Sequence, residues 1–257
     1  EETDVDCGGP TSCPRCITGR RCDATSDCAT DTCDMGYCGG AAMCNSGPAR
    51  VLVYQPGGTT GTAWFPVGTV TTIASDAMWR SLSTADFGQY DIIFIPGGRC
   101  AGTVDSVMGT AFDTMAAWGP AVRGRIVIST DDADLHGGTQ GMQFYANLID
   151  WLKVPGRNVD AGRTSLYMSW GCTLISAPAA GSRGTPESFA PVLGTGVMGE
   201  STNYCSSVAT AAGAGTHPVM TGLSGSFWGC PFHGGLATIP PGYTTLIQGT
   251  TGASSPV

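Results

Sequence analysis

The stretch Asp91-Ile92-Ile93-Phe94-Ile95-Pro96-Gly97-Gly98 decides the fold class. Its four consecutive apolar residues, three of them β-branched, predict a short strand, and the Pro-Gly-Gly turn ends it. A strand without polar residues must be covered on both faces, as strands of parallel sheets are. Apolar, β-branched runs of the same kind occur at 51–54, 67–74 and 125–130.

Helical segments separate these strands along the chain. Residues 75–86 are helical or irregular, and residues 103–118 repeat apolar side chains at helical spacing. A strongly amphipathic helix follows the 125–130 strand, with apolar positions at Met142, Phe144, Tyr145, Leu148, Ile149, Trp151 and Leu152. Strands that alternate with helices predict an α/β domain over residues 50–257, with helices on both faces of a parallel sheet.

Twelve cysteines indicate the compartment, because dense disulfides persist only where the surroundings are oxidising. Eight of them lie in a short N-terminal stretch and four are scattered, at Cys7, Cys13, Cys16, Cys22, Cys28, Cys33, Cys38, Cys44, Cys100, Cys172, Cys205 and Cys230. We predict a disulfide-stapled module over residues 1–46 with little regular structure, although spacing alone does not choose the pairing. The chain starts at Glu1 without Met, so we expect a secreted or cell-surface protein whose export signal has been removed.

Charge argues against nucleic acid as a partner, and the length of the apolar runs argues against membrane insertion. The net charge is −8 with only 12 basic residues, so no basic surface for nucleic acid is expected. No apolar run approaches the ~20 residues of a membrane-spanning helix, which argues against membrane insertion. Few charges on the surface favour self-association or contact with other extracellular or cell-surface proteins.

The acidic excess is concentrated at the N-terminus, where residues 1–44 carry eight acidic residues against three arginines. Carboxylates alternate at Glu2, Asp4 and Asp6, and Gly8 allows the chain to turn after them. Alternating oxygen ligands before a glycine turn suit Ca²⁺, so these three residues are the predicted calcium ligands. A solvated acidic chain end is the alternative.

The N-terminal segment carries a resemblance to a known group. Glu2-Thr3-Asp4-Val5-Asp6-Cys7-Gly8-Gly9 and Ser26-Asp27-Cys28 resemble Cys-rich modules of large secreted proteins from myxobacteria and related bacteria. The resemblance covers roughly the first 44 residues. It implies a spacer or adhesive repeat and brings no defined activity.

The larger domain resembles the class I glutamine amidotransferase-like superfamily, which has a flavodoxin-like sheet. The resemblance rests on the Pro-Gly-Gly turn and on the turn after Thr130. It implies that the backbone amides of Gly97 and Gly98 correspond to the oxyanion hole. It also implies that the turn after Thr130 corresponds to the nucleophile elbow.

The catalytic residues of that superfamily are replaced. The elbow has Thr130, Asp131 and Asp132 in place of cysteine, and His233 is followed by two glycines instead of the His-x-Glu pair. Without a thiolate and a base, thioester chemistry cannot proceed. The domain is closer to a subgroup in bacterial secreted proteins of unknown function, which shares the Asp132…His136 pattern. We therefore predict that amidotransferase activity is absent.

Three candidate catalytic residues remain, Asp132, His136 and His233. The loop from Asp131 to His136 could ligate a metal or supply an acid and a base. The alternative is a loop whose aspartates cap the following helix.

We expect a non-catalytic structural or adhesive protein, as a subunit of an extracellular assembly with a calcium-stiffened N-terminal module. One alternative is a secreted hydrolase that uses Asp132, His136 and His233. Another is a carbohydrate-binding module that stacks sugar rings on Trp170 or Trp228, which requires an exposed indole.

Overall fold

The computed structural model describes residues 22, 24–28, 33–34, 37–38, 49–55, 69–96, 105–131, 138–153, 164–171, 174, 183–200, 208–223 and 234–249. Among these residues, no helix is both long and apolar enough to cross a membrane.

Two disulfides hold the described part of the N-terminal module. Cys22 is bonded to Cys33 and Cys28 to Cys38, with Cα atoms 5.9 and 5.1 Å apart. Since Cys28 lies between Cys22 and Cys33 in sequence, the two closed loops overlap. The short strands β1 (Cys33–Asp34) and β2 (Tyr37–Cys38) pair antiparallel after the 3₁₀ turn Thr25–Asp27. The buried sulfurs form the core here, as a segment almost without large apolar residues requires.

The main sheet has five parallel strands: β3 (Arg50–Tyr54), β4 (Thr69–Ile73), β5 (Ile92–Ile95), β6 (Val122–Ser129) and β7 (Thr164–Ser169). Their spatial order is β4-β3-β5-β7-β6, which confirms the predicted parallel α/β sheet. Numbered within this sheet, the order is 2-1-3-5-4, whereas flavodoxin has 2-1-3-4-5. The last two strands are therefore exchanged, which leaves β6 at the edge and buries every residue of β7.

Strand alternation divides the core into two layers. Leu52 and Tyr54 of β3 face one layer, and Val51 and Val53 face the other. The first layer contains α1 (Asp76–Ser81), α2 (Thr84–Phe87), α3 (Asp105–Asp113) and α4 (Met115–Trp118), and the second contains α5 (Gly138–Leu152). The prediction of helices on both faces is confirmed.

The segment predicted as helical or irregular at 75–86 forms two short helices because two serines start them. Ser75 accepts the backbone N–H of Met78, and Ser83 and Asp86 form a reciprocal capping box before α2. Trp79 of α1 and Phe87 of α2 are fully buried in the first layer.

The C-terminal half adds a small helix and two antiparallel strand pairs. These are α6 (Ala190–Leu193), β8 (Met198–Glu200) with β10 (Gly235–Thr238), and β9 (Val208–Thr210) with β11 (Ile247–Gly249). The 3₁₀ turns of the larger domain are Gly119–Ala121, Pro186–Phe189, Ala214–Thr216 and Pro218–Met220. This half places β10 beside the carboxyl end of β6, where a buried polar cluster lies.

Candidate functional site

The exchange of the last two strands brings the carboxyl ends of β6 and β7 side by side. Ser129 and Ser169, the last residues of the two strands, are direct register partners. Thr130 and Asp131 follow β6, and Trp170 follows β7. All five residues are buried, although ligands of open α/β sheets bind at this end of the strands.

Asp131 is the centre of a buried hydrogen-bond cluster and is only 2% exposed. Tyr167 donates its hydroxyl to Oδ2 at 2.7 Å, and Tyr145 of α5 donates to Oδ1 at 3.1 Å. The hydroxyl of Ser129 also donates to Oδ2, and its oxygen accepts the Asp131 backbone N–H at 3.1 Å. Ser169 donates its hydroxyl to the Asp131 carbonyl. We call these five residues the Asp131 cluster.

Electrostatics within the Asp131 cluster favour a neutral phenol beside a carboxylate. Burial raises the pKa of Tyr167 well above its usual value, and the nearby charge of Asp131 raises it further. Tyr167 therefore keeps its proton and donates a hydrogen bond to the carboxyl group of Asp131, as a buried polar group requires. Both carboxylate oxygens of Asp131 accept hydrogen bonds from buried hydroxyl groups. These bonds hold the end of β6 in place.

A second contact joins the end of β6 to the start of β10. Thr130 donates its hydroxyl to the carbonyl of Gly234 at 3.0 Å. Gly234 has φ +141°, and a Cβ atom there would lie 2.6 Å from Cβ of Leu174. Only glycine fits this close approach without movement of the backbone. The segment after Asp131 and the segment before Gly234 therefore start and end close together in space.

The residues predicted to be catalytic lie within five residues of this junction in sequence. Asp132 and His136 follow Asp131, and His233 precedes Gly234. All three lie outside the described residues, as do Gly97 and Gly98 of the expected oxyanion turn.

The structure corrects the interpretation of Asp131. The sequence suggests a metal ligand or a cap for the following helix. Its side chain instead points into the core and reaches α5 through Tyr145, in the middle of the helix. The reason is that Ser129, Tyr145 and Tyr167 offer three hydroxyl donors on the same side of the sheet.

Trp170 does not meet the requirement for carbohydrate stacking. Its side chain is fully buried, and its indole N–H donates to the carbonyl of Gly184 at 3.0 Å. The other indole proposed for this role, Trp228, lies outside the described residues. A ring packed on all sides has no face for a sugar, so this hypothesis is wrong for Trp170.

His217 caps a short turn. Its Nδ1 accepts the backbone N–H of Val219 at 3.3 Å, at the start of the turn Pro218–Met220. Burial lowers the pKa of His217, and the positive charge of Arg125 lowers it further. The imidazole is therefore neutral at pH 7, with the proton on Nε2.

The predicted calcium ligands Glu2, Asp4 and Asp6 lie outside the described residues. So do eight of the cysteines, namely Cys7, Cys13, Cys16, Cys44, Cys100, Cys172, Cys205 and Cys230. In the described module, three cysteine sulfurs lie within 4.8 Å of one another. This proximity follows from the two disulfides, and disulfide sulfurs offer no thiolate to a metal.

Sequence reasoning misses the donors of the Asp131 cluster. Tyr145 falls among the apolar residues of its helix, and Tyr167 lies between Leu166 and Met168 in a buried strand. One feature of the sequence does point to the cluster. Ser129 is a hydroxyl residue near the end of a predicted strand and close to Asp131, and a buried carboxylate needs hydrogen-bond donors.

Comparisons with protein-family models, with curated proteins and with solved structures found no match for this chain.

Proposed function

We propose that this is a non-catalytic structural or adhesive protein of the cell exterior, in which a disulfide-stapled, calcium-binding module precedes an amidotransferase-like α/β domain. The Asp131 cluster is the observation that carries the proposal. The elbow of an enzyme presents an exposed nucleophile to its substrate. Of the residues at the corresponding turn, Asp131 is a carboxylate that is 2% exposed and whose two oxygens both accept hydrogen bonds from hydroxyl groups.

The disulfides support the extracellular part of the proposal. Cys22–Cys33 and Cys28–Cys38 are the main packing of the described module, so a reducing compartment would remove its core. Native material digested without reductant should yield these two linked peptide pairs by mass spectrometry. Free thiols at all four positions would contradict an extracellular location.

Self-association through the N-terminal module is the testable part of the assembly proposal. Light scattering after size exclusion should show multimers of the full chain in Ca²⁺ and smaller species after chelation. A variant with Glu2→Gln, Asp4→Asn and Asp6→Asn should lose the response to Ca²⁺. The matched control is Asp150→Asn, which removes an exposed carboxylate of α5 and should leave the response unchanged. Monomers of the parent chain under both conditions would overturn assembly.

A secreted hydrolase is the second candidate, and the contact between Thr130 and Gly234 favours it. This 3.0 Å hydrogen bond joins Thr130, two residues before Asp132, to Gly234, which directly follows His233. A panel of chromogenic esters, amides and glycosides tests the idea on the full chain. Turnover that is lost in Asp132→Ala and kept in Asp150→Asn would replace the non-catalytic proposal with this one.

A further inference from the structure

A groove of about 400 Å³ runs beside the edge strand β6. One wall is formed by β6 itself, and the opposite wall by the irregular segment 242–246 and the first residue of β11. This volume is within the ~300–1,000 Å³ of pockets that bind ligands. The groove is distinct from the Asp131 cluster, with which it shares only Ser129.

The lining shows that the groove follows the backbone edge of β6. Six consecutive residues of the strand, Gly124 to Ser129, line it. Because alternate side chains of a strand point to opposite faces, six in a row can border one space only if it lies alongside the strand. Six residues of a strand extend over roughly 20 Å. The groove is therefore long enough for an extended chain of about six residues.

Backbone hydrogen-bonding groups point into this groove. Trp170 donates its N–H to the carbonyl of Ser129 at 3.0 Å, so the Ser129 backbone faces β7. The backbone groups of successive strand residues alternate between the two edges. Those of Val127 therefore also face β7, and those of Ile126 and Ile128 face the open edge. Within the described residues, β6 pairs as a strand with β7 alone.

The rest of the lining combines apolar and aromatic side chains with polar ones, among them His217, Thr244 and Thr245. Leu236, Ile239 and Ile247 contribute apolar surface. At the end near Gly124, Arg125 stacks over the Trp151 ring at 4.7 Å from its centroid. Apolar surface beside backbone groups that have no strand partner within the described residues suits an added strand, whose side chains on one face contact the wall while its backbone pairs with β6.

We propose that β6 accepts an extended peptide segment of a partner protein as a sixth strand of the sheet. Only an extended backbone offers donors and acceptors at the two-residue spacing at which Ile126 and Ile128 present theirs. Exposed edges are usually blunted by charges, proline or a covering segment. Here the segment 242–247 stands off from β6 across the groove, and no backbone hydrogen bond joins the two within the described residues.

The probe is a set of fluorescein-labelled, end-blocked six-residue peptides in which threonine alternates with valine, leucine or phenylalanine. Anisotropy titrations of the full chain should show saturable binding by at least one of them. The same peptide with alternate amides N-methylated should bind at least tenfold more weakly, since it cannot donate to the edge. Absence of binding by every peptide, or equal binding by the methylated form, overturns the proposal.

A variant of the protein tests the same edge from the other side. Ile126→Pro removes one outward N–H and leaves the ladder to β7 intact, because proline is accepted where its nitrogen faces away from the sheet. We expect at least a tenfold loss of peptide affinity. Ile126→Val is the matched control, which shortens the same side chain, keeps the N–H and should bind as the parent does. Equal peptide affinity of a folded Ile126→Pro variant and the parent would refute pairing at β6. If the variant fails to fold, the comparison of the parent chain's affinity for the methylated and unmethylated peptides decides whether the backbone of β6 pairs with the peptide.

Discussion

Replacement of Tyr167 by phenylalanine tests the Asp131 cluster directly. The change deletes one oxygen from a fully buried ring and leaves its packing against Phe94 in place, 4.2 Å between ring centroids. The lost hydrogen bond is 2.7 Å long and ends on a carboxylate, a class of bond that contributes about 1.5–3 kcal/mol to stability. Since Asp131 keeps two other hydroxyl donors, we expect a loss of about 2 kcal/mol in the free energy of unfolding.

Urea unfolding followed by tryptophan fluorescence measures this loss. With a denaturant slope of about 2 kcal/mol per molar urea, the midpoint should fall by roughly 1 M. Tyr243→Phe is the control, because among the described residues the Tyr243 hydroxyl has no hydrogen-bond partner and burial alone raises its pKa to about 12. Its effect should stay within about 0.5 kcal/mol.

A double-mutant cycle separates the pair from general core damage. Asp131→Asn keeps the shape of the side chain and removes the charge of the group that accepts the hydrogen bond from Tyr167. If the two residues act together, the double variant should lose about 1–2 kcal/mol less than the sum of the single variants. Strict additivity, or a Tyr167→Phe effect no larger than that of Tyr243→Phe, would refute the assignment of Asp131 as a hydrogen-bonded anchor.

Three further outcomes are expected from the described contacts. The raised pKa of Tyr167 means that the unfolded chain loses this proton near pH 10 while the folded chain keeps it, so stability falls as pH rises above about 10. In Tyr167→Phe this decline in the unfolding free energy should be shallower, and an identical decline would contradict burial. Gly234→Ala should destabilise the fold by about 2 kcal/mol or more in thermal melts, because its Cβ would meet Leu174, whereas Gly222→Ala, at φ +74° with open space, should lose only about 1 kcal/mol. Asp113→Asn breaks a partly exposed bidentate pair with Arg183 and a second ion pair with Arg80, and should cost about 0.5–1 kcal/mol at low salt, a difference that 1 M NaCl should reduce.

Local patterns in the sequence predict four of the five strands of the main sheet and the layers on its two faces, but not β7 (Thr164–Ser169). The run from Ile92 to Ile95 is apolar at every position, and the structure buries all four residues inside a parallel sheet. The amphipathic pattern ending at Leu152 likewise predicts the helix that covers the second face. These features depend on residues a few positions apart, so a window of sequence contains their cause.

The cysteine count similarly predicts disulfides, and Cys22, Cys28, Cys33 and Cys38 confirm them. Sequence leaves the choice of partners open because loop-closure entropy changes slowly with loop length and hardly distinguishes one pairing from another. Only the folded module shows the pairing: β1 and β2 bring Cys33 opposite Cys38, yet Cys33 bonds to Cys22 and Cys38 bonds to Cys28, both of which precede the hairpin.

The strand order and the Asp131 cluster were decided by tertiary structure alone. Asp131 is followed in sequence by another aspartate and, after them, a histidine, a pattern that suggests chemistry in an exposed loop. Its partner Tyr167 comes 36 residues later, and the two meet because β7 inserts between β5 and β6. The same insertion leaves β6 at the edge, with the backbone of Ile126 facing a groove. Sequence periodicity indicates which side chains are buried, but the neighbours of a strand are set by the packing of the whole sheet.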